Sequence, residues 1–254
     1  MNKQNKYVLI TGATSGIGEA CAKTFHENGY ALIITGRRKE RLIDLKDRLN
    51  SQNTAPIEVL AFDVRNVEET EKAISSLPEE VKNNISILIN NAGLAVGKGS
   101  IDTGILDDWN RMIDTNIKGI LHVSKEIIPY FKKRNGGHII NLGSIAGKEV
   151  YPGGNVYCAT KHAVDALSKA MRIDLLPFAI KVTNIAPGAV ETEFSEVRFK
   201  GNKELASKTY EGFSPLEAND IAETIFFAAS RPAHVTINDL TIMPTAQGSS
   251  QNLF

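Results

Sequence analysis

The chain has 254 residues, 42% hydrophobic and 23% charged, the composition of an ordinary folded protein able to bury a sizeable core. Its 29 basic and 29 acidic residues balance, and no Lys/Arg run is long enough to track a phosphate backbone, which excludes nucleic acid as an expected partner. The first apolar run, Tyr7–Ile10, is too short for a secretion signal or a membrane span, and Cys21 and Cys158 cannot build a disulfide framework, so a cytoplasmic location and two plain buried thiols are expected.

In chain order, β-rich runs fall at Tyr7–Thr11, Ala31–Thr35, Ile57–Phe62, Ile85–Asn90, His138–Leu142, Lys181–Ala186 and Leu240–Met243. Between them lie Lys39–Leu49, Glu68–Ser76, Asp107–Lys133, Tyr157–Leu176 and Leu216–Ala229, whose apolar residues recur at helical spacing. Strand and helix in alternation predict parallel βαβ units, and nearly continuous apolar strands predict a sheet covered on both faces. The expected fold is an α/β, doubly wound parallel sheet of seven strands in a single domain spanning residues 1–254, since no linker, repeat or low-complexity tract divides it. Helical periodicity fails from Glu193 to Gly212, where Phe194, Val197, Phe199 and Tyr210 are scattered among charges around Gly201. That stretch, 193–212, is the candidate substrate lid; the plainer alternative is a helical surface excursion with no catalytic duty.

After the first strand comes Thr11-Gly12-Ala13-Thr14-Ser15-Gly16-Ile17-Gly18, opening a helix. Glycines at a strand-to-helix turn let backbone approach a pyrophosphate, which then meets free N–H groups and the helix dipole. Glycine at such a turn can also be purely structural. The second strand ends in Thr35-Gly36-Arg37-Arg38, with no carboxylate before Glu40. An acidic residue there suits the ribose 2′-hydroxyl of NAD, whereas Arg37 and Arg38 suit the 2′-phosphate of NADP, so NADP(H) is the expected cofactor. The alternative is two arginines that only solvate the next helix.

Further along, Ser144 follows the fifth strand at the edge where open α/β sheets bind ligands. Tyr157 and Lys161, four apart on a helix, project from one face. A phenol near pKa 10 is a poor base, and positive charge from Lys161 and an oxidised nicotinamide is expected to lower that value. In reduction Tyr157 would donate the proton and Ser144 would stabilise charge developing on the substrate oxygen. Tyr157 and Lys161 alone could be a routine amphipathic pair. The five histidines, 26, 122, 138, 162 and 234, lack paired metal-ligand spacing, and no metal is expected.

The glycine spacing, Asn90-Asn91-Ala92-Gly93, Asn116, Ser144, Tyr157-x-x-x-Lys161 and Pro187-Gly188 followed by Thr192 occur in an order that resembles the short-chain dehydrogenase/reductase family, with its Rossmann-type fold. The resemblance implies that Asp63 and Val64 flank the adenine, and that Asn90, Ala92 and Gly93 line the ribose side. It also implies that Pro187, Gly188, Val190 and Thr192 hold the nicotinamide carboxamide, with Tyr157 and Lys161 touching the cofactor as well. Asn116 would fix a water that links Lys161 to solvent; its plainer role is a helix-bending core residue. A homotetramer is implied too, with Asp107–Lys133 and Tyr157–Leu176 at one interface and the last strand near another.

Two segments narrow the substrate: Thr192-Glu193-Phe194-Ser195-Glu196-Val197-Arg198-Phe199-Lys200-Gly201-Asn202, and the ending Asp239–Thr245. Both resemble NADP-dependent 3-hydroxy acid (serine and allo-threonine) dehydrogenases, implying exchange of hydride at the 3-hydroxyl or 3-oxo group of serine, L-allo-threonine or 3-hydroxyisobutyrate. A carboxylate near the reacting carbon calls for a fixed cation. Arg198 is the candidate, with Lys148 and Lys203 as rivals and simple solvation as the alternative. The other readings are a carbonyl or 3-oxoacyl reductase of different specificity, an NADP(H)-sensing binding protein, and a structural member; the intact Ser144, Tyr157 and Lys161 disfavour the last two.

Overall fold

The computed structural model describes residues 6–251. Strand β1 (Tyr7–Ile10) leads into helix α1 (Gly16–Glu27), β2 (Ala31–Gly36) into α2 (Lys39–Asn50), and β3 (Ile57–Ala61) into α3 (Val67–Ser75) and a short α4 (Glu79–Asn83). After β4 (Ile85–Asn90) come α5 (Leu106–Ile113) and α6 (Gly119–Lys133), then β5 (Gly137–Leu142) and α7 (Asn155–Leu175). Strand β6 (Ile180–Pro187) is followed by β7 (Val190–Glu191), α8 (Glu193–Arg198), α9 (Lys203–Lys208), β8 (Leu216–Glu217), α10 (Ala218–Ala229) and β9 (Asp239–Ile242).

Seven strands form one parallel sheet in the order β3-β2-β1-β4-β5-β6-β9, and β7 pairs with β8 outside it. Side chains alternate across a strand, so each buried strand feeds two cores. Val8 and Ile10, Leu32 and Ile34, Ile87 and Ile89 join α1, α2 and α10 on one face. Leu9, Ile33 and Leu88 join α3, α4, α6 and α7 on the other. The strand order reverses between β1 and β4, which opens a crevice at their carboxyl ends, the ligand position of doubly wound sheets.

Three local readings need correction. The stretch 107–133 is not one α-helix: a π turn, Asp114–Lys118, separates α5 from α6, and Asn116 sits in it. A π turn adds a single residue to one turn, and the apolar residues on either side still recur at helical spacing, so a count of that spacing does not mark the break. Residues 193–212 contain two short helices, each begun by a side-chain cap: Thr192 accepts from Phe194 N, and Asn202 from Leu205 N. They are broken at Lys200 and Gly201, both at positive φ (53° and 88°), and six residues are too few to show a helical repeat. Finally, Leu216 and Glu217 belong to β8, and the following helix starts at Ala218.

Candidate active site

A cleft of about 860 Å³ runs along the carboxyl edge of the sheet, from Arg37 and Arg38 at one end to Tyr157 and Arg198 at the other. At its first end, Gly12 and Gly16 have φ of +68° and +53°, in the left-handed region that glycine tolerates. Ser15 stands at the N-cap of α1 but makes no side-chain cap bond, which leaves first-turn N–H groups for an anion. Thr14, Ser15, Gly16 and Ile17 line the cleft; Gly18 does not. A Cβ on Gly18 would lie 2.3 Å from the Gly12 oxygen and 2.5 Å from Asn91 Nδ2, so this glycine is required for packing. Asn91, which the motif reading passed over, stitches the loop to β4: its Nδ2 donates to Thr11 O (2.8 Å) and Gly12 O (3.1 Å).

The adjoining Asn90 departs from expectation. Its Nδ2 donates to Ser124 Oγ (3.0 Å) and Asn141 Oδ1 (2.9 Å), so the side chain is held in the core, while Asn91, Ala92 and Gly93 line the cleft. Strand alternation explains this, because adjacent residues face opposite ways. Asp63 and Val64 do line the cleft. Burial alone would raise the Asp63 carboxyl, but hydrogen bonds from Arg65 and the charges of Arg65 and Arg37 outweigh it and hold the pKa below the usual carboxylate range.

Arg37 is largely exposed, with one loose contact to Asp63 at 3.8 Å. Arg38 is tied down: Nε and Nη2 donate to Thr14 Oγ1 (3.1 and 2.8 Å) and Nη2 to Ser15 Oγ (2.9 Å). Its Nη1 donates to Glu193 Oε2 at 3.0 Å, and Arg41 Nη1 takes the other oxygen at 2.7 Å. A glycine cradle beside a helix N-terminus, with two guanidiniums at the end of β2, fits a dinucleotide that carries an added 2′-phosphate.

At the far end, Ser144, Tyr157 and Lys161 share one pocket, 9%, 8% and 5% exposed. Tyr157 and Lys161 lie on the first turns of α7, and Ser144 starts a tight turn after β5, its Oγ accepting from Ala146 N (3.1 Å) and donating to Pro187 O (3.5 Å). Lys161 Nζ donates to Leu142 O at 2.7 Å, and burial pushes its pKa down to about 8. In the protein by itself burial, then the Tyr151 hydroxyl, raise the Tyr157 pKa, while Ser144 and Arg198 act in the opposite sense. Lys161 Nζ is 6.0 Å from the ring centroid, and desolvation of the phenolate outweighs its pull.

Asn116 is also buried, but its side chain works as a brace. Oδ1 accepts from Leu94 N (2.8 Å), and both amide hydrogens are used, on Leu94 O (2.8 Å) and Thr160 Oγ1 (3.0 Å). A water could meet this side chain only at the second lone pair of Oδ1. Pro187, Gly188, Val190 and Thr192 line the cleft as expected. Gln247, which the motifs did not mark, supports them by accepting from Ala189 N (2.8 Å).

Arg198 reaches the reacting end from α8. Its guanidinium carbon lies 5.3 Å from the Tyr151 ring centroid and 5.7 Å from that of Tyr157. Its Nε is buried without a partner, and among the described residues no carboxylate pairs with it. The rival Lys148 is bound to Asp165 (2.5 Å) and Asp239 (2.6 Å), and neither it nor Lys203 lines the cleft. The segment carrying Arg198 is pinned at both ends: by Glu193 on Arg38 and Arg41, and by Lys200 Nζ on the buried Asp108 at 2.7 Å.

A family model described as short chain dehydrogenase matches residues 6–203. The NADP-dependent 3-hydroxy acid dehydrogenase YdfG of Salmonella typhi is 47% identical over 241 residues, 94% of this chain and 95% of that protein. Sulfoacetaldehyde reductase 2 of Chromohalobacter salexigens is 43% identical, covering 96% of each chain. Among solved structures, a closed form of serine dehydrogenase complexed with NADP+ superposes with a TM-score of 0.92 at 45% identity, over 96% of this chain and 97% of the other.

Proposed function

Because the chain belongs to the short-chain dehydrogenase family, we propose that it is an NADP(H)-dependent oxidoreductase acting on the 3-hydroxyl or 3-oxo group of a small hydroxy acid such as serine, L-allo-threonine or 3-hydroxyisobutyrate. The observation that carries the substrate class is Arg198: a guanidinium with a buried, unpartnered Nε beside the Tyr157 ring calls for an anion within reach of the reacting oxygen. The names of the relatives agree, since 3-hydroxy acids, serine and sulfoacetaldehyde each carry an acid group close to the reacting carbon.

NADPH supplies the hydride in reduction, and NADP+ accepts it in oxidation. The glycine turn, Arg37, Arg38, Asp63 and Val64 line the cleft, where the turn would hold the pyrophosphate, the two arginines the 2′-phosphate, and Asp63 and Val64 the adenine. Ser144 steadies negative charge on the substrate oxygen while the Tyr157 hydroxyl donates its proton there; oxidation reverses this transfer. Lys161 supplies positive charge below the phenol, and Asn116 braces Leu94 and Thr160 at its side. Residues 193–212 act as the lid of a single NADP-binding domain spanning 1–254.

A homotetramer is part of this reading, supported by Leu106, Ile173 and Leu176, which stand 70%, 73% and 73% exposed on or beside α5 and α7. A cytoplasmic location is supported by two unpaired, buried cysteines. Among the described residues no helix is long and apolar enough to cross a membrane.

The test follows reduced nicotinamide by absorbance with serine, allo-threonine, 3-hydroxyisobutyrate and an uncharged secondary alcohol, with NADP+ and NAD+ in parallel and Tyr157→Phe as control. Turnover of the acids that needs NADP+ and is lost in Tyr157→Phe is expected. Turnover of the uncharged alcohol alone would overturn the substrate assignment.

A further inference from the structure

We propose that Arg198 is, besides an anion anchor, a second cation of the proton-transfer site, brought to Tyr157 by the lid and aligned by Tyr151. The inference rests on the reading above for the roles of Tyr157 and the lid.

Two cations lie near the Tyr157 ring, Arg198 at 5.7 Å and Lys161 at 6.0 Å from its centroid. They differ in how they are held. Lys161 is fixed to the sheet through Leu142 O, whereas Arg198 is placed by three ties of the lid. Glu193 is clasped by Arg38 and Arg41, Gly97 N donates to Arg198 O at 3.0 Å, and Lys200 grips Asp108. Tyr151 sets the last degree of freedom, with its ring 5.3 Å from the guanidinium.

The groups that face the phenol from each packed element are few. Helix α7 contributes Cys158 and Lys161, the segment before it Tyr151, the turn after β5 Ser144, and the lid Arg198. From α5 and the loop after β4 the neighbours are apolar, Met112, Trp109, Leu94, Ala95 and Val96, and the nearby Asp108 is engaged by Lys200 and Arg111. Burial and Tyr151 favour the phenol, and Ser144 and Arg198 favour the phenolate. A neighbouring cation favours the ionised form of a phenol, by about one pH unit or more where the two charges lie within about 4–6 Å. Lid placement therefore sets how readily Tyr157 gives up its proton.

The test is the pH profile of kcat/KM for oxidation of an uncharged secondary alcohol with saturating NADP+, in wild type, Arg198→Met, Arg198→Gln and Arg198→Lys. This quantity reports groups of the enzyme before the alcohol binds, so no substrate anion masks Arg198. The rising limb is expected to move to higher pH by about one unit in Arg198→Met, to move likewise in Arg198→Gln, and to return in Arg198→Lys. An unmoved limb in Arg198→Met, with only the KM for acid substrates raised, overturns the proposal and leaves Arg198 as an anchor. If acids are not substrates, the alcohol profile still decides, so failure of the substrate assignment is read separately. Thermal unfolding checks that Arg198→Met is folded; if it is not, an unmoved limb in Arg198→Gln is the overturning result.

Discussion

Replacing Lys161 with methionine keeps most of the length of the side chain and removes its buried charge. Burial brings the ammonium pKa from the ordinary 10.5 to about 8. At 1.36 kcal/mol per pH unit, a lysine charged in both states at pH 7 costs the fold about 3 kcal/mol. Against this, the substitution loses the 2.7 Å charge-assisted bond to Leu142 O, worth about 1.5–3 kcal/mol. Lys161→Met is therefore expected to stabilise the cofactor-free protein slightly at pH 7, by about 1 kcal/mol or a Tm rise of about 2–4 °C, while turnover falls about a hundredfold or more. The sign with pH follows from a depressed lysine pKa. The penalty is complete below about 8, fades as the folded protein sheds its proton first, and is gone above 10.5. Calorimetry at pH 7 and pH 9.5 should show wild type gaining on the variant by about 2 kcal/mol between the two. A gap between the two proteins that does not change with pH would refute the reasoning.

Arg37→Ala and Arg38→Ala should each raise KM for NADPH about tenfold or more, from the loss of charge-assisted bonds to the 2′-phosphate, with little change for NADH; equal effects on both would refute the assignment. Gly18→Ala puts a Cβ 2.3 Å from the Gly12 oxygen and should cost about 1–3 kcal/mol in urea unfolding together with weaker NADPH binding; an unchanged midpoint would contradict the packing account. His138 has its pKa lowered to about 3 by burial and by Lys181, below the ordinary 6.5, so the stability it contributes above 6.5 is lost as pH falls towards 3. In His138→Gln, urea midpoints at pH 7 and pH 4 should differ by less than in wild type; parallel loss in both proteins would show that other groups govern acid unfolding.

The glycine turn, the arginine pair, and the spacing of Ser144, Tyr157 and Lys161 were legible because each reports a local constraint: a backbone conformation, a charge at a strand end, one turn of helix. The doubly wound sheet was legible for the same reason, since a strand buried on both faces has almost no polar residues. The π turn at Asp114–Lys118 was not, because the apolar residues on either side of its one extra residue still recur at helical spacing, and Asn90 was assigned to the cofactor although its strand position turns it inward. Glu193 meets Arg38 across 155 positions, and Arg198 reaches the Tyr157 ring from another element, pairings that no spacing encodes. The pKa of Tyr157 belongs with these. The sequence by itself determined which groups the site has; whether burial or charge governs their protons depends on how completely packing excludes water around each one, a sum over all neighbours that only the tertiary structure decides.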